Sequence, residues 1–88
     1  MLRGLGKLKT VTPRQLNLAY MELHPGENHD DADCERIMGN WLARYEKDPS
    51  KALATQNWCG KVTTALFKAL GIKQPRTKRS MFIALDIH

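Results

Sequence analysis

Three side chains of metal-binding types are spaced as H-x4-H-x4-C in the first half of the chain: His24, His29 and Cys34. Imidazole nitrogens and thiolate sulfurs are common zinc ligands, but this spacing matches no common zinc module. Pro25-Gly26 also prevents the two histidines from sharing one face of a helix. The neighbouring Asp31-Ala32-Asp33 lacks the glycine and the terminal glutamate of a calcium-binding loop. We therefore expect solvated loop residues here and no metal site.

Motifs of enzyme active sites are missing from the sequence. There is no G-x-S-x-G nucleophile elbow, no complete phosphate-binding loop and no catalytic arrangement of paired carboxylates. Gly4-Leu5-Gly6-Lys7 looks like a phosphate-binding turn, but such a turn needs a helix directly after it. The first helix signal comes only at Pro13. We therefore predict that the protein is not an enzyme, with no catalytic residues and no cofactor.

Polar side chains suited to nucleic-acid contact are concentrated in the C-terminal half of the chain. The set consists of Asn57, Lys61, Thr64, Lys68, Lys73, Arg76, Lys78 and Arg79. The first four recur at helical spacing opposite an apolar stripe, and the other four follow in a basic loop. Such side chains hydrogen-bond to base edges or neutralise phosphates. This set is the predicted nucleic-acid-binding site; the alternative is an ordinary solvated helix face followed by a solubilising loop.

The charges are distributed unevenly along the 88 residues, which carry a net charge of +5. Residues 1–21 contain bases and no acid, residues 22–35 contain six acids and no base, and residues 49–88 contain seven bases and one acid. Basic surfaces favour phosphates or acidic proteins as partners. We therefore predict a nucleic-acid partner, DNA rather than RNA. The acidic stretch is explained by helix capping, with anion mimicry or cation binding as its alternative.

Two helices have clear signals at their ends. Thr12-Pro13-Arg14-Gln15 is a capping box with proline in the first helical position, and Pro25-Gly26 ends the helix, which predicts a helix over about 13–24. The second helix is expected to begin after an N-cap at Asp30 or Asp31. Its apolar residues recur at helical spacing as far as Tyr45.

The third helical segment is expected to run from Pro49 to Gly71, as one helix or as two. Asp48-Pro49 combines a capping residue with a proline, and Gly71 suits the left-handed position that ends a helix. Gly60 weakens a continuous helix, and the polar residues 55–57 offer a break. Helix-turn-helix proteins usually have a small residue four positions before the turn glycine and an apolar residue directly after it. Around Gly60 these positions hold Gln56 and Lys61, so the sequence identifies no family.

In the last eight residues, long aliphatic side chains recur at every second position. Met81, Ile83, Leu85 and Ile87 would share one face of a strand, for which Leu8–Val11 is the available partner. The alternative is a short fourth helix that packs Met81, Phe82 and Leu85. We predict the extended form.

Together these signals predict one small, mainly α-helical domain over residues 1–88, with three or four helices. Residues 1–11 form a basic arm and residues 73–80 a basic loop. No apolar run is long enough to span a membrane and no signal peptide is present, so we expect a cytoplasmic protein without membrane contact. Cys34 and Cys59 are expected as reduced, buried thiols.

The aromatic residues provide the remaining expectations. Trp41 and Trp58 lie on apolar helix faces and are expected to be buried close together. Phe67 and Phe82 lie off those apolar faces. They are candidate anchors for a protein partner, but we favour packing under the N-terminal arm of the same chain. The leading function is therefore a small nucleic-acid-binding regulator. The alternative is a protein-binding adaptor or inhibitor of the phage or mobile-element type, and a homodimer is a further option.

Overall fold

The computed structural model describes residues 7–53 and 58–86, and within these ranges every regular element is helical. A 3-10 turn, Leu8–Thr10, precedes the first helix. The α-helices are α1 (Pro13–Leu23), α2 (Asp31–Lys47), α3 (Pro49–Ala52), α4 (Trp58–Leu70) and α5 (Lys78–Asp86). The predicted mainly α-helical class is confirmed. Residues 1–6 of the expected basic arm lie outside the described ranges.

The starts of α1 and α2 follow from their capping residues. Thr12 Oγ1 accepts a hydrogen bond from the backbone N–H of Gln15 at 3.1 Å, and Gln15 Oε1 accepts one from the N–H of Thr12 at 2.8 Å. Asp30 Oδ1 accepts from the N–H of Asp33 at 2.7 Å. Each bond satisfies a backbone donor that the first turn leaves unpaired. Both predicted helix starts are confirmed.

The described residues of the segment from Pro49 to Gly71 form α3 and α4. Asp48 caps the four-residue α3 by accepting from the N–H of Lys51 at 3.3 Å. Residues 54–57, where the sequence predicts a break, lie outside the described ranges. The end of α4 is a Schellman motif, because Gly71 has φ +73° and the N–H of Ile72 donates to the carbonyl of Phe67 at 3.3 Å.

Helix α4 lies at the centre of the fold and packs against α1, α2, α3 and the 3-10 turn. Its apolar residues are therefore buried on several sides and not along one stripe. Phe67, which lies off the predicted apolar stripe, is only 1% exposed, so it packs within this chain. The single-helix projection placed it away from the core because it does not include the neighbouring elements that cover the flanks of α4.

The aromatic residues of α2 are buried, and one of them contacts the C-terminal helix. Trp41 and Tyr45 are buried, and their rings stack with centroids 5.1 Å apart. Phe82 of α5 is partly buried and its ring centroid lies 6.1 Å from that of Tyr45. Trp58, by contrast, is 41% exposed, so the expectation that both tryptophans are buried was wrong for Trp58.

Residues 78–86 form a helix, so the predicted strand was wrong for this part of the tail. Thr77 starts the helix by accepting from the N–H of Ser80 at 3.2 Å. Met81 and Leu85, one helical turn apart, are buried, whereas Ile83 is exposed. The proposed partner strand is also wrong, since Leu8–Thr10 is a 3-10 turn. Residues 87–88 lie outside the described ranges.

Two further expectations concern the cysteines and membranes. Cys34 and Cys59 are both buried thiols, as the sequence predicts. Among the described helices, none combines the length and apolar character that crossing a bilayer requires.

Candidate nucleic-acid interface

The lysines of the predicted polar stripe on α4 bind acidic side chains of the same chain. Lys61 Nζ lies 3.0 Å from both carboxylate oxygens of Glu27, which follows α1. Lys68 Nζ lies 3.0 Å from Glu22 Oε2 on α1. Both lysines are exposed, but their charges are largely balanced by these partners. These two ion pairs therefore connect α4 to α1 and to the loop that follows α1.

The remaining two residues of the predicted stripe are Thr64 and Asn57. Thr64 is half-buried on α4. Asn57 belongs to residues 54–57 and lies outside the described ranges. The predicted base-reading part of the site therefore stays a prediction.

Glu27 is the centre of a polar cluster between α1 and α4. Besides Lys61, its oxygens lie 3.8 Å from His24 Nδ1 and 3.9 Å from His29 Nε2. The hydrogen bond from Lys61 is the main cause that lowers the pKa of Glu27, and the lysine and histidine charges add to it. Both histidines also contact the ring of Tyr20, whose burial raises its pKa to about 12.

The sequence predicts no metal site around His24, His29 and Cys34. Over the described residues, no group of three or more histidine, cysteine or acidic side chains is arranged to hold a metal ion. The two histidines of the H-x4-H-x4-C series instead contact a carboxylate and a phenol ring.

The acidic stretch of residues 22–35 is mostly engaged in contacts within the chain. Arg14 lies 3.6 Å from Asp31, and Arg36 binds Asp33 at 2.7 Å. Asp30 caps α2, while Glu22 and Glu27 hold the two lysines of α4. The stretch therefore serves the fold through capping and ion pairs.

The cations of the basic loop after α4 face solvent and, within the described ranges, lack the acidic partners that Lys61 and Lys68 have. Lys73, Arg76 and Arg79 are exposed, and none forms an ion pair with another described residue. The side chain of Lys78 is not described. Lys78 and Arg79 begin α5, whose first turn contains no acid. A helix N-terminus favours negative charge, so these cations do not stabilise α5 through the helix dipole.

A second group of exposed cations, which was not part of the predicted site, surrounds Trp58. Arg44 and Lys47 lie in the last turn of α2, Lys51 lies on α3, and Trp58 begins α4. Together they line an open groove of about 640 Å³. None of the three cations is ion-paired within the described ranges. The groove thus combines an aromatic ring with unbalanced positive charge.

The sequence contained no clear signal for this groove. It placed Trp58 on an apolar helix face. Whether the side chain of Trp58 is covered depends on where α2 and α3 pack, which the spacing of residues along α4 does not determine.

Comparison with protein-family models, curated proteins and solved structures finds no match to this chain.

Proposed function

We propose that this protein is a small nucleic-acid-binding regulator that binds through its solvent-facing cations. One observation carries the proposal: six exposed cations have no acidic partner among the described residues, and three of them line one groove. The exposed, unpaired cations are Arg44, Lys47, Lys51, Lys73, Arg76 and Arg79. The paired cations all contact acids of residues 22–33.

Three of these cations lie around one groove formed by α2 and α3, and the other three lie between residue 73 and the first turn of α5. Nucleic-acid phosphates attract such cations and release condensed counterions when they bind, which makes the affinity depend strongly on salt. In the described ranges, the exposed acids without an ion-pair partner are Asp30, which caps α2, Glu35 and Glu46. The surface is thus suited to a polyanion.

The alternative, a protein-binding adaptor or inhibitor, had two supports in the sequence. Phe67, the proposed anchor, is buried. The acidic stretch, the proposed anionic surface, is occupied by capping and by ion pairs with cations of the same chain. Neither feature now favours this alternative over nucleic-acid binding.

A salt titration of DNA binding tests the proposal. We expect the wild-type protein to bind labelled random-sequence duplex DNA at about 50 mM salt, with an affinity that falls as salt is raised. Arg79→Gln is expected to weaken binding and to reduce the salt slope by roughly one unit, as the loss of one phosphate contact does. Fluorescence anisotropy measures both quantities.

The matched control is Arg36→Gln, which removes the same charge from a guanidinium that binds Asp33 at 2.7 Å. We expect this variant to keep nearly the wild-type affinity and salt slope. Absence of binding to duplex and single-stranded DNA at about 50 mM salt would overturn the proposal. Equal effects of the two substitutions would show that net charge, and not these cations, determines binding.

A further inference from the structure

The two tryptophans of this chain have opposite environments. Trp41 is fully buried, and its indole N–H donates to Thr63 within the core. Trp58 is 41% exposed at the first residue of α4 and forms part of the groove wall. Tryptophan has the largest apolar side chain, so leaving it in water forgoes much of the stabilisation that its burial would give. An exposed indole in a groove is therefore a candidate contact for a ligand.

Polar and cationic groups from two helices surround this indole. Asn40, Arg44 and Lys47 follow one another at helical spacing along α2, and all three line the groove. Lys51 contributes a further cation from α3. The three cations are exposed, so they can reach a ligand without first leaving an acidic partner.

The groove also contains one carboxylate, that of Asp48. Its Oδ1 accepts a hydrogen bond from the backbone N–H of Lys51 at 3.3 Å, which is the cap of α3. This carboxylate therefore has a structural role, and positive charge predominates in the groove. The volume of about 640 Å³ lies in the usual range of ligand-binding clefts.

We propose that this groove binds single-stranded nucleic acid, with an unpaired base stacked on Trp58 and the neighbouring phosphates held by Arg44, Lys47 and Lys51. This inference rests on the proposed function and specifies its ligand. A base within a duplex is already stacked on both faces and cannot reach an indole without being extruded. An unpaired base presents its face to the ring, and stacking of this kind tolerates any sequence.

The first experiment uses the different exposure of the two tryptophans. Oligothymidylate at low salt is expected to quench the emission of Trp58, whereas the emission of buried Trp41 should change little. Trp58→Phe removes the exposed indole and keeps an aromatic ring, so its remaining emission should be insensitive to the oligonucleotide. Quenching that persists in Trp58→Phe would overturn the proposal.

The second experiment measures affinity. Trp58→Ala is expected to weaken oligothymidylate binding about tenfold, as the loss of one stacked base does, with an unchanged salt slope. Trp58→Phe should weaken it less. Binding to inorganic polyphosphate, which has charges but no bases, should be the same for wild type and Trp58→Ala.

The matched control is Leu18→Ala, which truncates another exposed apolar side chain that does not line this groove. It should leave oligothymidylate affinity unchanged, and circular dichroism should show native helix content in each variant. If wild type binds oligothymidylate but Trp58→Ala binds it equally well, the stacking proposal fails while the proposed function stands. If wild type binds neither single-stranded nor duplex DNA, both fail.

Discussion

The indole N–H of Trp41 donates a hydrogen bond to the hydroxyl of Thr63 at 3.1 Å, and both side chains are fully buried. The same hydroxyl lies 3.0 Å from the carbonyl oxygen of Ala52 and 2.8 Å from that of Cys59. The hydroxyl shares its single proton between these two carbonyl oxygens, and its oxygen accepts the hydrogen bond from the indole N–H. One threonine thus joins α2, α3 and α4 in the core.

Removal of this hydroxyl is expected to destabilise the fold. Thr63→Val keeps the shape of the side chain but leaves the Trp41 N–H buried without a partner, which costs about 1–3 kcal/mol of unfolding free energy. Thr63→Ser, which keeps the hydroxyl, should preserve the hydrogen bond. Thr64→Val, the same change at the half-buried neighbouring position, should alter stability by less than about 0.5 kcal/mol. Urea unfolding followed by circular dichroism measures all three.

Two glycine-to-alanine substitutions are expected to have opposite effects. Gly71 has φ +73°, which an L-residue adopts at a cost of about 1–2 kcal/mol, so Gly71→Ala should lower the unfolding free energy. Gly39 lies within α2 and an added Cβ there would meet no atom within 4 Å. Gly39→Ala should therefore raise stability by about 0.5–1 kcal/mol. If both substitutions change thermal stability in the same direction, the assignment of Gly71 as the helix-ending residue is wrong.

The Glu27 cluster predicts a dependence of stability on acid pH. Lys61 lowers the pKa of the Glu27 carboxyl in the folded protein below its ordinary value of 4.5. The resulting stabilisation is present above the ordinary pKa and is lost as the pH falls through the lowered value. Glu27→Gln should therefore remove part of the stability loss that the wild type shows as the pH falls below 4.5.

Lys61→Gln provides the reciprocal test, because it removes the main cause of this shift and leaves the carboxyl. It should flatten the same part of the stability profile in urea titrations at successive pH values. If the dependence of unfolding free energy on pH is the same for both variants as for the wild type, the ion pair has no role in folding stability.

Cys34 is expected to react slowly with thiol reagents in the native state. The residue is buried, and burial raises the pKa of its thiol, with the carboxylates of Asp31, Asp33 and Asp30 adding to the effect. Alkylation requires an accessible thiolate, so it should need local opening or unfolding. Iodoacetamide labelling followed by mass spectrometry should show fast labelling in urea and slow labelling in buffer. Fast native labelling of Cys34 would contradict its burial.

The sequence predicted those features that depend on neighbouring residues in the chain. The capping box at Thr12, the cap at Asp30 and the left-handed Gly71 are set by local hydrogen bonds and backbone geometry, and all are observed. The C-terminal helix was the alternative and not the preferred prediction, because Met81 and Leu85, four residues apart, fit both a strand period of two and a helical turn. The capping hydroxyl of Thr77 was the deciding signal.

The candidate site was harder to predict, since its charges depend on distant contacts. Lys61 and Glu27 are 34 positions apart, so their pairing follows from the packing of α4 against the end of α1. The sequence shows both residues as charged but not which lysines keep an unbalanced charge. Trp58 illustrates the same limit, because only the placement of α2 and α3 determines whether its side chain is covered.

The hydroxyl of Thr63 also links the interior to the groove around Trp58. Ala52, whose carbonyl it contacts, directly follows Lys51, and the helix that carries Thr63 begins with Trp58. The buried Thr63 thereby helps to fix the distance between Lys51 and Trp58 at the surface. The proposed binding of a base at Trp58 therefore predicts that substitutions of Thr63, which leave every charge in the groove unchanged, alter oligothymidylate affinity.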